Sequence, residues 1–516
     1  VMVIADLPKD EQERHALFEH VSLIAGLQLT DLDLLLTEFA STPTEPIPVV
    51  SHLPYDRAIH LAIETKTMPG FFLQTSSLRQ YPVPTLSLSH VLGYVGKLSV
   101  DELDQLAEQN YRPIDSIGKN GIEKSAERQL RGTAGERIIE VDARGRELSV
   151  VSKTDPIPGQ DVHLTIDAGF QSFIETRTEE LFFKTHTSRA SIVALNPKTG
   201  EIYALVSLPA YDNNDFAKGI DAETFQQLLS DKDKPLFPRA VAGEFPSGST
   251  LKPFIAYAAL AERLITEHTS FISTGGLRIG DWFFPDWKAG GHGVTDVTKA
   301  IAESVNTFFY IIGGGYESFT GLGVEKLSMY AKKFGFGSTT GIDIAGEADG
   351  FLPTKAWKEE TKNERWYVGD TYHLAIGQGD FLTTPLQMAS ATGIIANNGI
   401  RNQPHLIQSD TILPGESIEG LDVTALNIVQ NGMRQTVLSG SARSLQVLPF
   451  ATAAKTGTAQ SPGSERYLSW FTGFAPFDDP EIALAIIVEE GGESTEAAVP
   501  LARDILSWWF VSRPTE

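Results

Sequence analysis

Apolar residues recur at helical spacing in several long stretches of the chain. This period of about 3.6 residues predicts amphipathic helices over residues 11–27, 169–183, 423–437 and 497–510. Shorter apolar runs predict strands over residues 191–195, 201–208, 469–474 and 481–488. Asn-Pro-Lys-Thr-Gly separates the first two of these strands, and this composition predicts a hairpin turn between them.

The first 170 residues or so mix short predicted elements and hold no cluster of catalytic residue types. The pattern predicts a helix over residues 31–39, with Thr30 as its N-terminal cap. It also predicts strands over residues 58–65 and 70–74. We interpret this region as a platform for the rest of the chain.

Residues 244–255 place Ser249 and Lys252 three positions apart at a predicted helix start. Side chains at this spacing share a helix face, so a neutral lysine can take the proton of the serine hydroxyl. Burial or a second cation lowers a lysine pKa enough for that role. The motif alone is weak, because Ser249 also fits an ordinary helix cap. A second Ser-x-x-Lys, from Ser116 to Lys119, is predicted to lie in a loop.

Two further motifs follow along the chain. Ser304 and Asn306 flank Val305 between a predicted helix and an aromatic cluster, and by themselves they fit a polar helix cap. Lys455-Thr456-Gly457-Thr458 lies on a predicted strand of small residues, where glycine lets another backbone or a ligand approach closely. The competing Lys-Thr-Gly at residues 198–200 belongs to the predicted hairpin turn.

Composition narrows the function classes. A chain of 516 residues is long enough for two or three domains. Its formal net charge of −24 argues against nucleic acid as a partner, because phosphate binding needs a basic surface. The absence of cysteine excludes disulfides, thiol nucleophiles and cysteine-ligated zinc. No apolar run reaches the roughly 18 residues of a membrane span, so we expect any natural membrane anchor to precede residue 1.

The order Ser-x-x-Lys, Ser-x-Asn, Lys-Thr-Gly is much rarer than any one of these motifs, and it is the set found in β-lactamases and penicillin-binding proteins. Residues 160–510 closely resemble the transpeptidase domain of penicillin-binding proteins, and residues 1–160 resemble the pedestal of the class B members. Residues 377–380 and 384–389 strengthen the resemblance. The segment 286–293 is similar to that of the elongation-type members, the penicillin-binding protein 2 group, rather than the septal ones.

This resemblance implies an α+β fold in two domains. Residues 166–516 are expected to form a mainly antiparallel sheet flanked by helices, together with an all-helical subdomain. Residues 1–165 are expected to form an elongated mixed α/β pedestal of the dimerisation type. The resemblance also implies a catalytic domain in the periplasm, held at the inner membrane by one N-terminal anchor helix.

The implied activity is that of a D,D-transpeptidase. It crosslinks peptidoglycan stem peptides that end in D-Ala-D-Ala, without a cofactor, through a serine acyl-enzyme that β-lactams trap. The implied base is Lys252, while Lys455 stays charged. The implied site comprises catalytic Ser249, Lys252, Ser304, Asn306 and Lys455, substrate-binding Thr456, Gly457 and Thr458, and an oxyanion hole of the backbone N–H groups of Ser249 and Thr458.

Relatives with the same motifs leave alternatives open. The chain also fits a D,D-carboxypeptidase or a protein that senses or hydrolyses β-lactams. From another class, it fits a non-catalytic scaffold that regulates a glycosyltransferase. The resemblance implies a membrane glycosyltransferase of the shape, elongation, division and sporulation type as partner, and no nucleic acid.

A metal site of some relatives has partial counterparts in this sequence. Those relatives hold zinc near this loop through an Asp, a His and a Cys of the middle motif. Asp286 and His292 match two of the positions, but Val305 occupies the place of the cysteine. Structural zinc needs about four good ligands, so we expect no metal here. We expect His292 to order the loop through hydrogen bonds instead.

Overall fold

A computed structural model describes most of the chain. The described residues are 2–4, 10–26, 28–38, 47–50, 53, 55–64, 71–73, 77–112, 115–141, 147–409, 414–460 and 466–513. They form two compact units. The first comprises Val1–Pro82, Leu92–Gln160 and Asp212–Gln227, and the second comprises Val83–Val91, Asp161–Tyr211 and Leu228–Glu516. The domain boundary that we predict between residues 165 and 166 stays a prediction.

Short helices and small antiparallel sheets make up the N-terminal third of the chain. In chain order the elements are β1 (Met2–Ile4), α1 (Glu11–Ala25), α2 (Leu29–Glu38), β2 (Ile47–Val50), α3 (Tyr55–Glu64), β3 (Phe71–Leu73), α4 (Ser89–Leu92), β4 (Val95–Lys97), α5 (Val100–Gln105), β5 (Ser116–Gly118), α6 (Gly121–Ser125), α7 (Glu127–Leu130), β6 (Glu136–Val141) and β7 (Glu147–Thr154). One small core of the first unit packs α1, α2 and α3 against β2 and β3 through Phe18, Val21, Leu32, Leu61, Val49 and Phe71.

Longer helices and strands follow. They are α8 (Ala168–Thr185), β8 (Ala190–Leu195), β9 (Ile202–Leu208), α9 (Asn213–Ala217), α10 (Ala222–Ser230), α11 (Arg239–Ala242), α12 (Lys252–Ala261), β10 (Phe271–Ser273), β11 (Gly276–Ile279), β12 (Trp282–Pro285), β13 (Gly293–Thr295), α13 (Val297–Ala302), α14 (Asn306–Gly314), α15 (Gly323–Lys333), α16 (Lys355–Lys362), α17 (Val368–Ala375), α18 (Pro385–Ala396), β14 (Ile400–Arg401), β15 (Glu416–Ser417), α19 (Val423–Leu438), β16 (Ala453–Gln460), β17 (Tyr467–Ala475), β18 (Ile482–Val488) and α20 (Ala498–Ser507).

The second unit is built around a five-stranded antiparallel sheet in the order β16-β17-β18-β8-β9. Every residue of β18 is buried. Alternate residues of a strand point to opposite faces of a sheet, and helices cover both faces of this sheet. On one face, Leu484 and Ile486 pack with Phe170 of α8 and Ile505 of α20. Helix α18 also packs on the sheet. Because β16 is at the sheet edge, one side of its backbone is free of a neighbouring strand.

The long predicted elements are confirmed. The predicted helices correspond to α1, α8, α19 and α20, and the predicted strands to β8, β9, β17 and β18. The predicted turn joins β8 to β9 and ends at Gly200, whose φ of +86° favours glycine. Of the helices in the described ranges, none combines the length and the apolar content that a bilayer crossing requires.

Two short predictions are wrong. The strand predicted over residues 58–65 is wrong up to residue 64, because Tyr55–Glu64 forms α3, and residue 65 lies outside the described residues. Ile59 and Ile63 suggest a strand period together with Leu61, but they are exposed and Leu61 alone of the three is buried. Thr30 is not a helix cap either, because α2 already begins at Leu29.

Candidate active site

Ser249 lies on a tight turn that leads into α12. Residues Gly248–Leu251 form a 3-10 turn, and Lys252 is the first residue of the helix. The turn is held from outside: the Gly248 N–H donates to the Gly377 carbonyl at 2.8 Å, and the Trp470 indole donates to the Pro246 carbonyl at 3.0 Å. These contacts fix the position of the turn, and Ser249 stays partly exposed to solvent.

The Lys252 amine is buried and points at the Ser-x-Asn motif. Its Nζ donates to the Ser304 carbonyl at 2.7 Å, to Ser304 Oγ at 3.2 Å and to Asn306 Oδ1 at 2.6 Å. Within the described ranges no hydrogen bond joins this amine to the Ser249 hydroxyl. Residues Ser304 and Asn306 of the second motif thus hold the Lys252 amine, one helical turn after Ser249.

Ser304 lies in the bend between α13 and α14. Its φ of +58° is uncommon for a non-glycine residue, and it is maintained by the surrounding contacts. The Ser304 hydroxyl lies between two amines, 3.2 Å from Lys252 Nζ and 3.0 Å from Lys455 Nζ. One hydroxyl therefore links the lysines of the first and third motifs.

The third motif lies on the edge strand β16, beside the Ser249 turn. A Cβ on Gly457 would lie 2.9 Å from the Ser247 carbonyl oxygen, so only glycine allows this approach of strand and turn. Lys455 is fully buried, Thr456 is 4% exposed and Thr458 is half-buried. All the residues that the sequence predicts for the site therefore lie on adjoining elements of the second unit.

Burial opposes charge on both lysines. It lowers the pKa of Lys252 to about 7, against the attraction of Asp286, which raises it. Burial, and then repulsion from Lys252, lower the pKa of Lys455 well below its ordinary value. Burial therefore disfavours charge on Lys455 in the free site, and our expectation that this lysine stays charged remains a prediction. Among the described residues no negative group raises the pKa of Lys455, whereas Asp286 favours charge on Lys252.

Asp286 anchors the Ser-x-Asn motif. Its buried carboxylate accepts from Asn306 N at 3.1 Å, Thr307 N at 2.9 Å and Thr307 Oγ1 at 2.7 Å, as well as from Ser273 Oγ and Trp287 N. A negative group at this helix start is favourable. Although burial opposes its charge, the hydrogen bonds from Thr307 and the charge of Lys252 hold the pKa of Asp286 below its ordinary value.

The neighbourhood of Asp286 does not fit zinc. Among the described residues His292 Nε2 has no hydrogen-bond partner and lies 3.7 Å from Asp286 Oδ1, and His292 Nδ1 lies 2.7 Å from Glu303 Oε2. Val305 has no side-chain ligand atom, so the set falls short of the four or so ligands that structural zinc needs. Across the described part of the chain, no group of three or more His, Cys, Asp or Glu is placed to hold a metal. The contact with Glu303 is of the loop-ordering kind that we expect of His292.

The two competing motifs lie elsewhere. Ser116 is an exposed residue of β5, and Lys119 pairs with Glu102 at 2.5 Å. Lys198 lies in the β8–β9 turn, exposed and paired with Asp479 at 2.5 Å. Ser116 and Lys119 belong to the first unit, whereas the three motifs that come together all belong to the second.

Comparison with known proteins assigns the chain to a family. The penicillin binding protein transpeptidase domain matches residues 190–507, and the penicillin-binding protein dimerisation domain matches residues 4–164. The chain belongs to the penicillin-binding proteins. Among the relatives of this penicillin-binding protein are the peptidoglycan D,D-transpeptidase MrdA of Haemophilus influenzae and that of Escherichia coli K12. The first is 32% identical over 98% of this chain and 81% of its own length, and the second is 35% identical over 89% and 75%.

Solved structures place it with the penicillin-binding protein 2 group of class B. Penicillin-binding protein 2 of Helicobacter pylori, solved in complex with MreC, matches with a TM-score of 0.83 and 30% identity over 98% of this chain and 93% of that one. Penicillin-binding protein 2 of Pseudomonas aeruginosa, in complex with WCK 5153, matches with a TM-score of 0.73 and 32% identity over 84% and 91%. The α+β fold that we predict for the transpeptidase and pedestal is confirmed.

Proposed function

We propose that this penicillin-binding protein is a peptidoglycan D,D-transpeptidase of cell-wall elongation that works through an acyl-enzyme on Ser249. The observation that carries this proposal is the buried cluster in which the Ser304 hydroxyl contacts both Lys252 and Lys455, beside the Ser249 turn. Relatives of similar length are named peptidoglycan D,D-transpeptidase, which supports the same activity here.

The first step forms the acyl-enzyme. Ser249 Oγ attacks the carbonyl carbon of the penultimate D-alanine as Lys252 accepts the hydroxyl proton. The backbone N–H groups of Ser249 and Thr458 stabilise the oxyanion. The peptide C–N bond then breaks, and Ser304 gives its proton to the departing D-alanine nitrogen while it takes the proton that Lys252 holds, so that Lys252 is neutral again. Asn306 binds the donor amide and helps to hold Lys252.

The second step forms the crosslink. The amine of a neighbouring stem attacks the Ser249 ester, the bond between carbonyl carbon and Oγ breaks, and the amine gives up a proton to the neutral lysine. Ser249 regains its proton, and the new amide leaves. Water in place of the amine would give carboxypeptidase activity, and no carboxylate contacts the Ser249 hydroxyl among the described residues to activate it.

A bound substrate carboxylate would favour the charged form of Lys455, whose pKa burial lowers in the free site. Lys455, Thr456, Gly457 and Thr458 are proposed to hold this carboxylate. A negative group beside Lys455 favours its charge, and a cation at Lys455 lowers the pKa of Lys252, which must be neutral to act as base. Substrate binding thereby prepares the base for proton transfer.

We also propose a cellular setting. A membrane glycosyltransferase of the shape, elongation, division and sporulation type would act with this protein through the pedestal. The similarity to the Helicobacter pylori protein that binds MreC, and to a structure of a peptidoglycan synthase complex, supports an assembly of this kind. In this setting the catalytic domain is periplasmic and is tethered to the inner membrane.

Acylation by benzylpenicillin tests the function. We expect one penicilloyl adduct in the intact mass, located by peptide mapping on the peptide that carries Ser249. A stem-peptide donor with an amine acceptor is expected to give more crosslinked than hydrolysed product. An adduct on another peptide, rapid hydrolysis of nitrocefin, or hydrolysis in excess over crosslinking would contradict the proposal.

The pH dependence of acylation is expected to change in Asp286→Asn. Acylation needs neutral Lys252, so its rate rises with pH through about 7, the pKa of that lysine. Loss of the Asp286 charge removes an attraction that raises this pKa, so the acidic limb moves to lower pH. The lost hydrogen bonds to the Ser-x-Asn helix lower the plateau rate by about tenfold.

A pH series of labelling rates with a fluorescent penicillin measures both effects. Asp281→Asn is the matched control, because Asp281 is exposed at the turn between β11 and β12. If the acidic limb stays in place or moves to higher pH in Asp286→Asn, the charge of Asp286 does not raise the pKa of Lys252.

A further inference from the structure

A contact from a turn outside the three motifs reaches the carboxylate-binding strand. Ser441 Oγ lies 2.5 Å from Thr456 Oγ1, and either hydroxyl is able to donate. Thr456 is 4% exposed and Ser441 is half-buried. Ser441 follows the end of α19 and precedes a 3-10 turn over Arg443–Val447.

The turn that carries Ser441 is tightly fixed. The Ala442 N–H donates to the Thr436 carbonyl at 3.0 Å, and the Gly440 N–H donates to the Gln435 carbonyl at 3.1 Å. A Cβ on Gly440 would lie 2.1 Å from the Ala302 carbonyl oxygen, so this position requires glycine. Ala302 ends α13, two residues before Ser304. The turn therefore packs against the segment of the second motif while its serine contacts the third.

Helix α19 also holds the start of the strand. Arg434 Nη1 donates to the Thr452 carbonyl at 2.9 Å, just before β16 begins. The serine is therefore set in a rigid frame relative to Thr456, and their hydroxyl contact does not depend on a mobile loop.

The direction of the shared hydrogen bond matters for binding a carboxylate. An ionised carboxylate only accepts, whereas a threonine hydroxyl has a single proton to donate. If Thr456 donates to Ser441, that proton is not available to the substrate. If Ser441 donates, Thr456 is free to donate to the carboxylate, and its hydroxyl is polarised by the bond that it accepts.

We propose that Ser441 is a positioning residue for the carboxylate site: it donates to Thr456 Oγ1 and thereby directs the Thr456 hydroxyl towards the terminal carboxylate of the donor peptide or of a penicillin. This role rests on the proposed function, since it assigns Thr456 to carboxylate binding. It selects substrates with a free C-terminal carboxylate and has no part in proton transfer at Ser249.

The test compares benzylpenicillin with its methyl ester, which lacks the carboxylate charge. Ser441→Ala is expected to slow acylation by benzylpenicillin about tenfold, the factor that corresponds to about 1.4 kcal/mol of lost hydrogen bonding. Acylation by the ester, measured by intact mass at high reagent concentration, is expected to change less than twofold. Ser439→Ala is the matched control, because Ser439 lies in the same turn and contacts Gln435 instead.

A double-mutant comparison separates positioning from a general structural effect. In a Thr456→Val background, Ser441→Ala is expected to add less than a twofold loss, because the hydroxyl that it directs is absent. An equal loss for benzylpenicillin and its ester, or a full tenfold loss in the Thr456→Val background, overturns the proposed role. A wild-type chain that neither reagent acylates overturns the proposed function as well.

Discussion

Ser249→Ala is expected to abolish covalent labelling by a fluorescent penicillin while the fold persists. The ester of the acyl-enzyme needs the hydroxyl oxygen of the nucleophile, and alanine leaves no atom to form it. The Ser249 side chain is partly exposed and makes no hydrogen bond among the described residues, so its removal costs little stability. In-gel fluorescence and intact mass measure the labelling, and a thermal melt measures the fold.

Ser116→Ala is the matched control, because it removes the serine of the competing Ser-x-x-Lys. That variant is expected to label like the wild type. Labelling that survives in Ser249→Ala would place the nucleophile elsewhere, and a lowered melting temperature would point to a structural role of the serine.

Lys252→Met is expected to lower the acylation rate by about 10³-fold. Methionine fills similar space but has no amine to accept the Ser249 proton or to donate to Ser304 and Asn306. The second-order rate constant with benzylpenicillin, followed by intact mass over time, measures the effect. The residual rate is expected to lose the rise around pH 7, because the titrating group is absent.

Lys119→Met is the control for this variant, as Lys119 belongs to the competing motif and pairs with Glu102. We expect it to acylate at the wild-type rate. A Lys252→Met rate within tenfold of the wild type, or one that still rises around pH 7, would assign the base to another group.

The parts of the fold that the sequence predicts well are those with continuous or strongly periodic apolar patterns. The strands β8, β9, β17 and β18 are buried at nearly every position, so their patterns directly reflect burial. Helix α3 is the opposite case. Ile59 and Ile63 produce the apparent strand period, yet both are exposed, and a local pattern does not reveal which apolar residues reach a core.

The site residues also divide into those that the sequence predicts and those that only the structure shows. Ser249 with Lys252, and Ser304 with Asn306, are readable because each motif is local and the motifs have a recognisable order. The role of Ser441 cannot be predicted from the sequence, because a serine in a Ser-Gly-Ser turn resembles any loop residue. Its contact with Thr456 arises only from the packing of α19. The lowered pKa of Lys455 also depends on burial, and burial of an isolated lysine cannot be read from neighbouring residues in the sequence.

Two glycines limit the substitutions by which this protein could lower its antibiotic binding. A Cβ on Gly377 would lie 2.0 Å from the Gly248 carbonyl oxygen, and one on Gly457 would lie 2.9 Å from that of Ser247. A larger residue that blocks an antibiotic here would also push the nucleophile away from its neighbours, and the cell would lose crosslinking along with drug binding. Resistant variants selected under antibiotic pressure are therefore expected to retain both glycines and to change at the rim of the cleft.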